Sequence, residues 1–107
     1  MIEPLFALLL LWAPVPDTEA VDPGCDYVMA VADSLTVAAG FQRCDITHLP
    51  GRCAEYWPGS RSVIVDPRTL RDECSYGREF VIAHETAHSI GYLDEDAADA
   101  WAEARIP

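Results

Sequence analysis

The chain has 107 residues, 18 of them acidic and 7 basic, and a formal net charge of −11 at pH 7. That length holds one domain. The charge comes with no Lys and no basic stripe, which disfavours nucleic-acid binding and attraction to anionic membrane surfaces. Asn is absent too, so no N-glycosylation sequon exists.

The run from Leu5 to Ala13 is apolar, too brief for a comfortable membrane span and of the length of a signal-peptide core. Thr18-Glu19-Ala20 sets small residues at the −3 and −1 positions of a cleavage site after Ala20, although the segment before the run carries Glu3 and no basic residue. Residues 1–20 are therefore expected to be a signal peptide and 21–107 the mature domain. The product would be secreted, without stable membrane insertion once cleaved; left uncleaved, the same run would serve as an N-terminal anchor. A domain of this size has a marginal core. The four cysteines, Cys25, Cys44, Cys53 and Cys74, supply candidate disulfides for an exported chain. Three pairings are open. The expected one joins Cys44 to Cys53 across a local loop and Cys25 to Cys74 between the first helix and the approach to the second. No Cys-x-x-Cys pair is present, which sets a cysteine zinc site aside.

Asp17 to Gly24 is polar and proline-containing, and reads as an arm. From Asp26 to Ala39, Tyr27, Val31, Leu35 and Ala38 recur at helical spacing, with Val28 widening the stripe and Gly40 placed to stop the helix. Phe41 to Leu49 shows no clear period, and Pro50-Gly51 marks a turn. Cys53–Trp57 and Arg61–Asp66 read as strands, with Pro58-Gly59-Ser60 making them an antiparallel hairpin. Val63 and Val65 share one face and Ile64 the other, so this strand should be covered by a helix on one side. Pro67 ends its ladder, and Arg68 to Ser75 is a charged connection held by Cys74. A helix is expected from Tyr76 to Ile90, with Glu79 near its positive end and Gly91 beyond its last turn. Asp94 can then cap a final helix running through Ala104. So short a connection makes the two helices antiparallel neighbours and returns the start of the last to the level of His88. Trp101 is the natural anchor of that helix. The expected class is α+β.

The helix from Tyr76 contains Val81-Ile82-Ala83-His84-Glu85-Thr86-Ala87-His88. Residues i and i+4 share a helical face, so His84 and His88 can aim both imidazoles at one point. Phe80, Ala83, Ala87 and Ile90 form an apolar stripe beside that line. Two neutral imidazoles make half of a tetrahedral zinc site. Glu85, offset by one residue, is placed to reach a water on the metal and act as general base. The bland alternative is a helix whose histidines pack or cap and bind nothing.

These residues resemble the zincin metallopeptidases, marked by a His-Glu-x-x-His helix beneath a small sheet. His84 to Asp94 reads His-Glu-x-x-His-x-x-Gly-x-x-Asp and resembles the metzincin pattern of snapalysin-like secreted proteases. Glu95-Asp96-Ala97-Ala98-Asp99 reads Glu-x-x-Ala-Asp and resembles the gluzincins. The downstream Met-turn of metzincins is missing, and gluzincins place their Glu helix further along. The resemblance spans roughly Ser62 to Glu103.

It implies one Zn²⁺ per chain, held by His84, His88 and a third ligand. Glu95, which can reach across from the neighbouring helix, leads over Asp94, whose carboxylate suits an N-cap; Asp99 and His48 follow. Asp99 is better placed to accept the free ring N–H of His84. The implied fold is a small zincin-like domain with a short antiparallel sheet and a backing helix. Its implied activity is hydrolysis of peptide bonds in a peptide or protein substrate, with the Arg61–Asp66 segment binding substrate by strand addition. Tyr56, Tyr76 and Tyr92 are candidate oxyanion donors. Another zinc amide hydrolase, such as a cell-wall amidase, and a non-catalytic secreted binding domain on the same scaffold remain alternatives. The pattern sets no oligomeric state.

Overall fold

The computed structural model describes residues 23–107, so the expected signal segment lies outside the described residues. Helix α1, Pro23–Leu35, opens on a proline, which suits a first turn because its missing N–H would have no partner there. Three short strands follow: β1, Arg43–Ile46, β2, Ala54–Trp57, and β3, Ser62–Val65. One helical turn, α2, Pro67–Leu70, leads to α3, Arg78–Ser89, and α4, Glu95–Arg105. The domain is α+β, as expected.

The strands lie in the order β1-β3-β2. β2 and β3 form the expected antiparallel hairpin, with Tyr56 opposite Val63 and Ala54 opposite Val65. β1 joins the other side of β3 in parallel, with Cys44 opposite Val63 and Ile46 opposite Val65. The sheet is thus mixed, not antiparallel throughout. Parallel pairing involves no tight turn, so no local signal announces it. β3 is buried along its whole length and paired on both sides. It therefore cannot receive a substrate strand, which corrects the expectation placed on Arg61–Asp66. The edge on the side where α3 packs belongs to β2.

Two apolar clusters hold these layers together. Val28 and Ala32 of α1, Phe41, Val63 and Val65 of β3 and Ile82 of α3 form the first. Ala83 and Ala87 of α3 meet Ala98, Trp101 and Ala102 of α4 in the second, flanked by Phe80 and Ile90. The expected stripe on α3 thus faces α4, while Ile82 faces the sheet. Ile64 points to the opposite face of β3, between Asp45 and Glu55 in register, and is also buried.

Gly40 does not stop α1, which ends at Leu35. Its role is close approach: a Cβ there would fall 2.6 Å from the Ser89 carbonyl oxygen, and its N–H donates to Ser89 Oγ at 3.0 Å.

The disulfides are Cys25–Cys44 and Cys53–Cys74, not the expected pairs. Strand order explains the difference. β3 separates β1 from β2, and Cys44 is level with Tyr56 across Val63, so Cys44 lies more than two strand spacings, over about 9–10 Å, from the start of β2. A disulfide spans Cα atoms no more than about 7 Å apart. Cys44 instead meets α1, and Cys53 meets the segment entering α3.

Asp66 anchors the end of β3. It is buried, caps α2 by accepting from the Arg68 N–H at 2.8 Å, and also accepts from Leu49 N–H at 2.8 Å and Arg68 Nε at 2.9 Å. Arg68 in turn donates to the Leu49 and Arg52 carbonyls. The stretch expected as a charged connection thus ties the loop before β2 to the core.

Candidate metal centre

α3 carries His84 and His88 one turn apart, both largely buried, on the flank of the alanine stripe that seats α4. Gly91, at φ +112°, ends α3 with a turn in which the Tyr92 N–H returns to the Ala87 carbonyl at 3.0 Å. Asp94 then caps α4, its carboxylate accepting from the Ala97 N–H at 3.0 Å. That occupies Asp94 and leaves the next residue, Glu95, to reach back over α3.

His84, His88 and Glu95 form a group that could hold a metal ion, each offering one atom within 4.8 Å of the others. The two Nε2 atoms are 3.1 Å apart. Glu95 Oε1 lies 2.8 Å from His84 Nε2, and its Oε2 3.2 Å from His88 Nε2. Ligands about 2 Å from one tetrahedral ion sit about 3.3 Å apart, so these atoms are close enough together to hold a metal ion.

Tautomers sharpen this point. His88 Nδ1 lies 2.6 Å from the Tyr92 carbonyl oxygen, which can only accept, so Nδ1 carries the proton. His84 Nδ1 lies 2.7 Å from Asp99 Oδ1, which as a carboxylate also only accepts. In neutral rings, both Nε2 atoms then present bare lone pairs to each other and to a carboxylate. A metal ion could bridge those lone pairs and the carboxylate.

Glu85 lies beside the histidines and is buried. Burial pushes its carboxyl up to about 7, helped by Glu95 and Glu55 and opposed by His84 and His88. A cavity of about 550 Å³ opens onto this group, lined by Ala54, Tyr76, Phe80 and Val81 as well as His84, Glu85, Glu95 and Asp99. A smaller one of about 170 Å³ is bordered by Glu55, Tyr56, Glu85, His88 and Glu95.

The structure thus gathers His84, Glu85, His88, Glu95 and Asp99, and commits Asp94 to capping. His48 is elsewhere, 3.1 Å from Asp66. Of the tyrosines, Tyr76 borders the larger cavity, Tyr56 the smaller, and Tyr92 supplies its carbonyl. Sequence reasoning missed that carbonyl, since a backbone oxygen has no residue signature; Gly91 before it was the available hint. It also missed Ala54 and Phe80 as cavity walls.

Both disulfides fit an oxidising compartment, and among the described residues no helix is long and apolar enough to cross a membrane. No family model, curated protein or solved structure matches the chain.

Proposed function

We propose that this protein is a secreted zinc metallopeptidase of the zincin kind. The observation that carries the reading is the pair of carboxylates that α4 delivers to α3: Glu95 on the lone-pair side of both histidines and Asp99 on the outer nitrogen of His84. A helix whose histidines merely packed or capped would not need both.

His84, His88 and Glu95 would hold the ion through two nitrogens and one oxygen, leaving a position open, as catalytic zinc sites do. Zinc held there supplies a Lewis acid that polarises a carbonyl and brings the pKa of water near 7. Asp99 and the Tyr92 carbonyl keep the protons on the outer nitrogens, so both inner nitrogens stay free to ligate. Glu85 takes the proton of the attacking water and passes it to the leaving amine. The extended substrate lies along the free edge of β2, which offers main-chain groups beside Glu85 and His88.

The test is Glu85→Gln. The variant should bind zinc as the native chain does, yet hydrolyse a protein substrate such as casein at least about a hundredfold more slowly. Unchanged turnover removes Glu85 from the reaction. Metal content by mass spectrometry, with His84→Ala alongside, tests the centre itself: stoichiometric zinc in the native chain and none in the variant.

A further inference from the structure

The larger cavity follows α3 backwards from His84 to Phe80, four residues earlier, about 6 Å along the axis. Tyr76 stacks on Phe80 with ring centroids 5.1 Å apart and leaves 62% of its surface exposed. The same cavity is lined by Cys53 and Ala54, where the chain enters the edge strand β2. The aromatic side therefore comes from the approach to α3 and from its first turn, and the other side from the start of the sheet's edge strand. Arg52, the cation among the lining residues, faces Glu55 at 3.6 Å.

The sheet wall is held by several bonds. The Cys53 carbonyl accepts from the Asp66 N–H at 2.9 Å and from Thr69 Oγ1 at 2.7 Å, and Ala54 is in register with Val65. The aromatic wall is held differently. Glu73 N–H donates to the Arg68 carbonyl on one side of its segment, and Arg78 N–H to Asp72 on the other. Between these anchors the Cys53–Cys74 disulfide is the covalent link that ties the segment carrying Tyr76 to the strand opposite.

We propose that the Cys53–Cys74 disulfide positions a specificity slot: it ties the segment carrying Tyr76, whose ring stacks on Phe80, to the strand that begins at Ala54, so that the slot takes one large apolar side chain of the substrate beside the metal centre. This rests on the metallopeptidase reading. Neither cysteine belongs to the metal group; the bridge acts through the placement of the segment that carries Tyr76.

The experiment uses the full zinc-loaded chain and two metal-chelating probes, acetohydroxamate and a hydroxamate bearing a benzyl group, titrated by calorimetry. Burying a phenyl ring should make the benzyl probe bind at least about tenfold more tightly. In Cys53→Ser/Cys74→Ser the ratio should fall below about threefold, with zinc affinity kept within about threefold, because the ligands on α3 and α4 are untouched. Phe80→Ala, which keeps both disulfides, should lower the ratio as well. A ratio near one in the native chain, or an unchanged ratio in the double variant, overturns the proposal. If the double variant does not fold, Phe80→Ala and Tyr76→Ala decide it, and unchanged ratios in both overturn it. Zinc uptake without discrimination between the probes defeats the slot alone, whereas no zinc uptake defeats the slot and the metallopeptidase reading together.

Discussion

His84 has each ring nitrogen facing a carboxylate of α4, and the two contacts serve different ends. Glu95 belongs with the metal group, whereas Asp99 orients the ring and fixes its tautomer. Asp99→Ala should therefore retain the site but weaken zinc binding about 10–100-fold, as measured by competition with a chromogenic chelator. Asp94 gives the opposite result. Losing its cap should cost about 1 kcal/mol in thermal or denaturant unfolding of the metal-free chain, while zinc affinity stays near native. If Asp94→Ala abolished zinc binding and Glu95→Ala did not, the ligand assignment would be reversed. These residues were legible in the sequence because helical spacing and capping are local rules. The Tyr92 carbonyl was not, since its place depends on the turn at Gly91.

At the scale of elements, alanines set the distance between α3 and α4. Ala83, Ala87, Ala98 and Ala102 are fully buried, so the helix carrying Glu95 and Asp99 lies close against the one carrying the histidines. Ala98→Leu should destabilise by about 1–3 kcal/mol through overpacking and weaken zinc binding as well by lifting α4 away. At the end of β3, bonds from Arg68 and the Leu49 N–H hold the Asp66 carboxyl well below the usual carboxylate range. A folded-state pKa below the unfolded one gives stability that is present at neutral pH and lost on acidification, here as the pH falls below about 4. Melting curves from pH 7 to pH 2.5 should show that loss in the native chain and a shallower one in Asp66→Asn; parallel curves would exclude the mechanism. The hairpin and the final helix pair were readable from alternation, turn residues and caps. β1 and α2 were not: β1 is four residues of mixed exposure that pair in parallel with a strand far along the chain. α2 is a single turn organised by a buried carboxylate rather than by an apolar period.

The molecule as a whole leans on its two disulfides, which close loops of 19 and 21 residues' separation. Each contributes about 3 kcal/mol by restricting the unfolded chain, set against a total stability of order 5–15 kcal/mol for a domain. Unfolding in urea should shift markedly to lower denaturant on reduction, and a chain as stable without its bridges would contradict this. That the cysteines pair was legible from their even number and the export-like sequence. Which ones pair was not, because partnership is fixed by strand order, and the insertion of β3 between β1 and β2 cannot be read from spacing along the chain.

The group formed by His84, His88 and Glu95 lies within one helical hairpin, whose turn runs only from Ile90 to Asp94. A cation captured there would clasp the carboxy-terminal helix to its predecessor at the end nearest the turn and leave the sheet and α1 untouched. Stripping it with a chelator should then accelerate amide deuteration first along α4, while β3 keeps its protection. The final helix would be the part of the chain that senses metal supply.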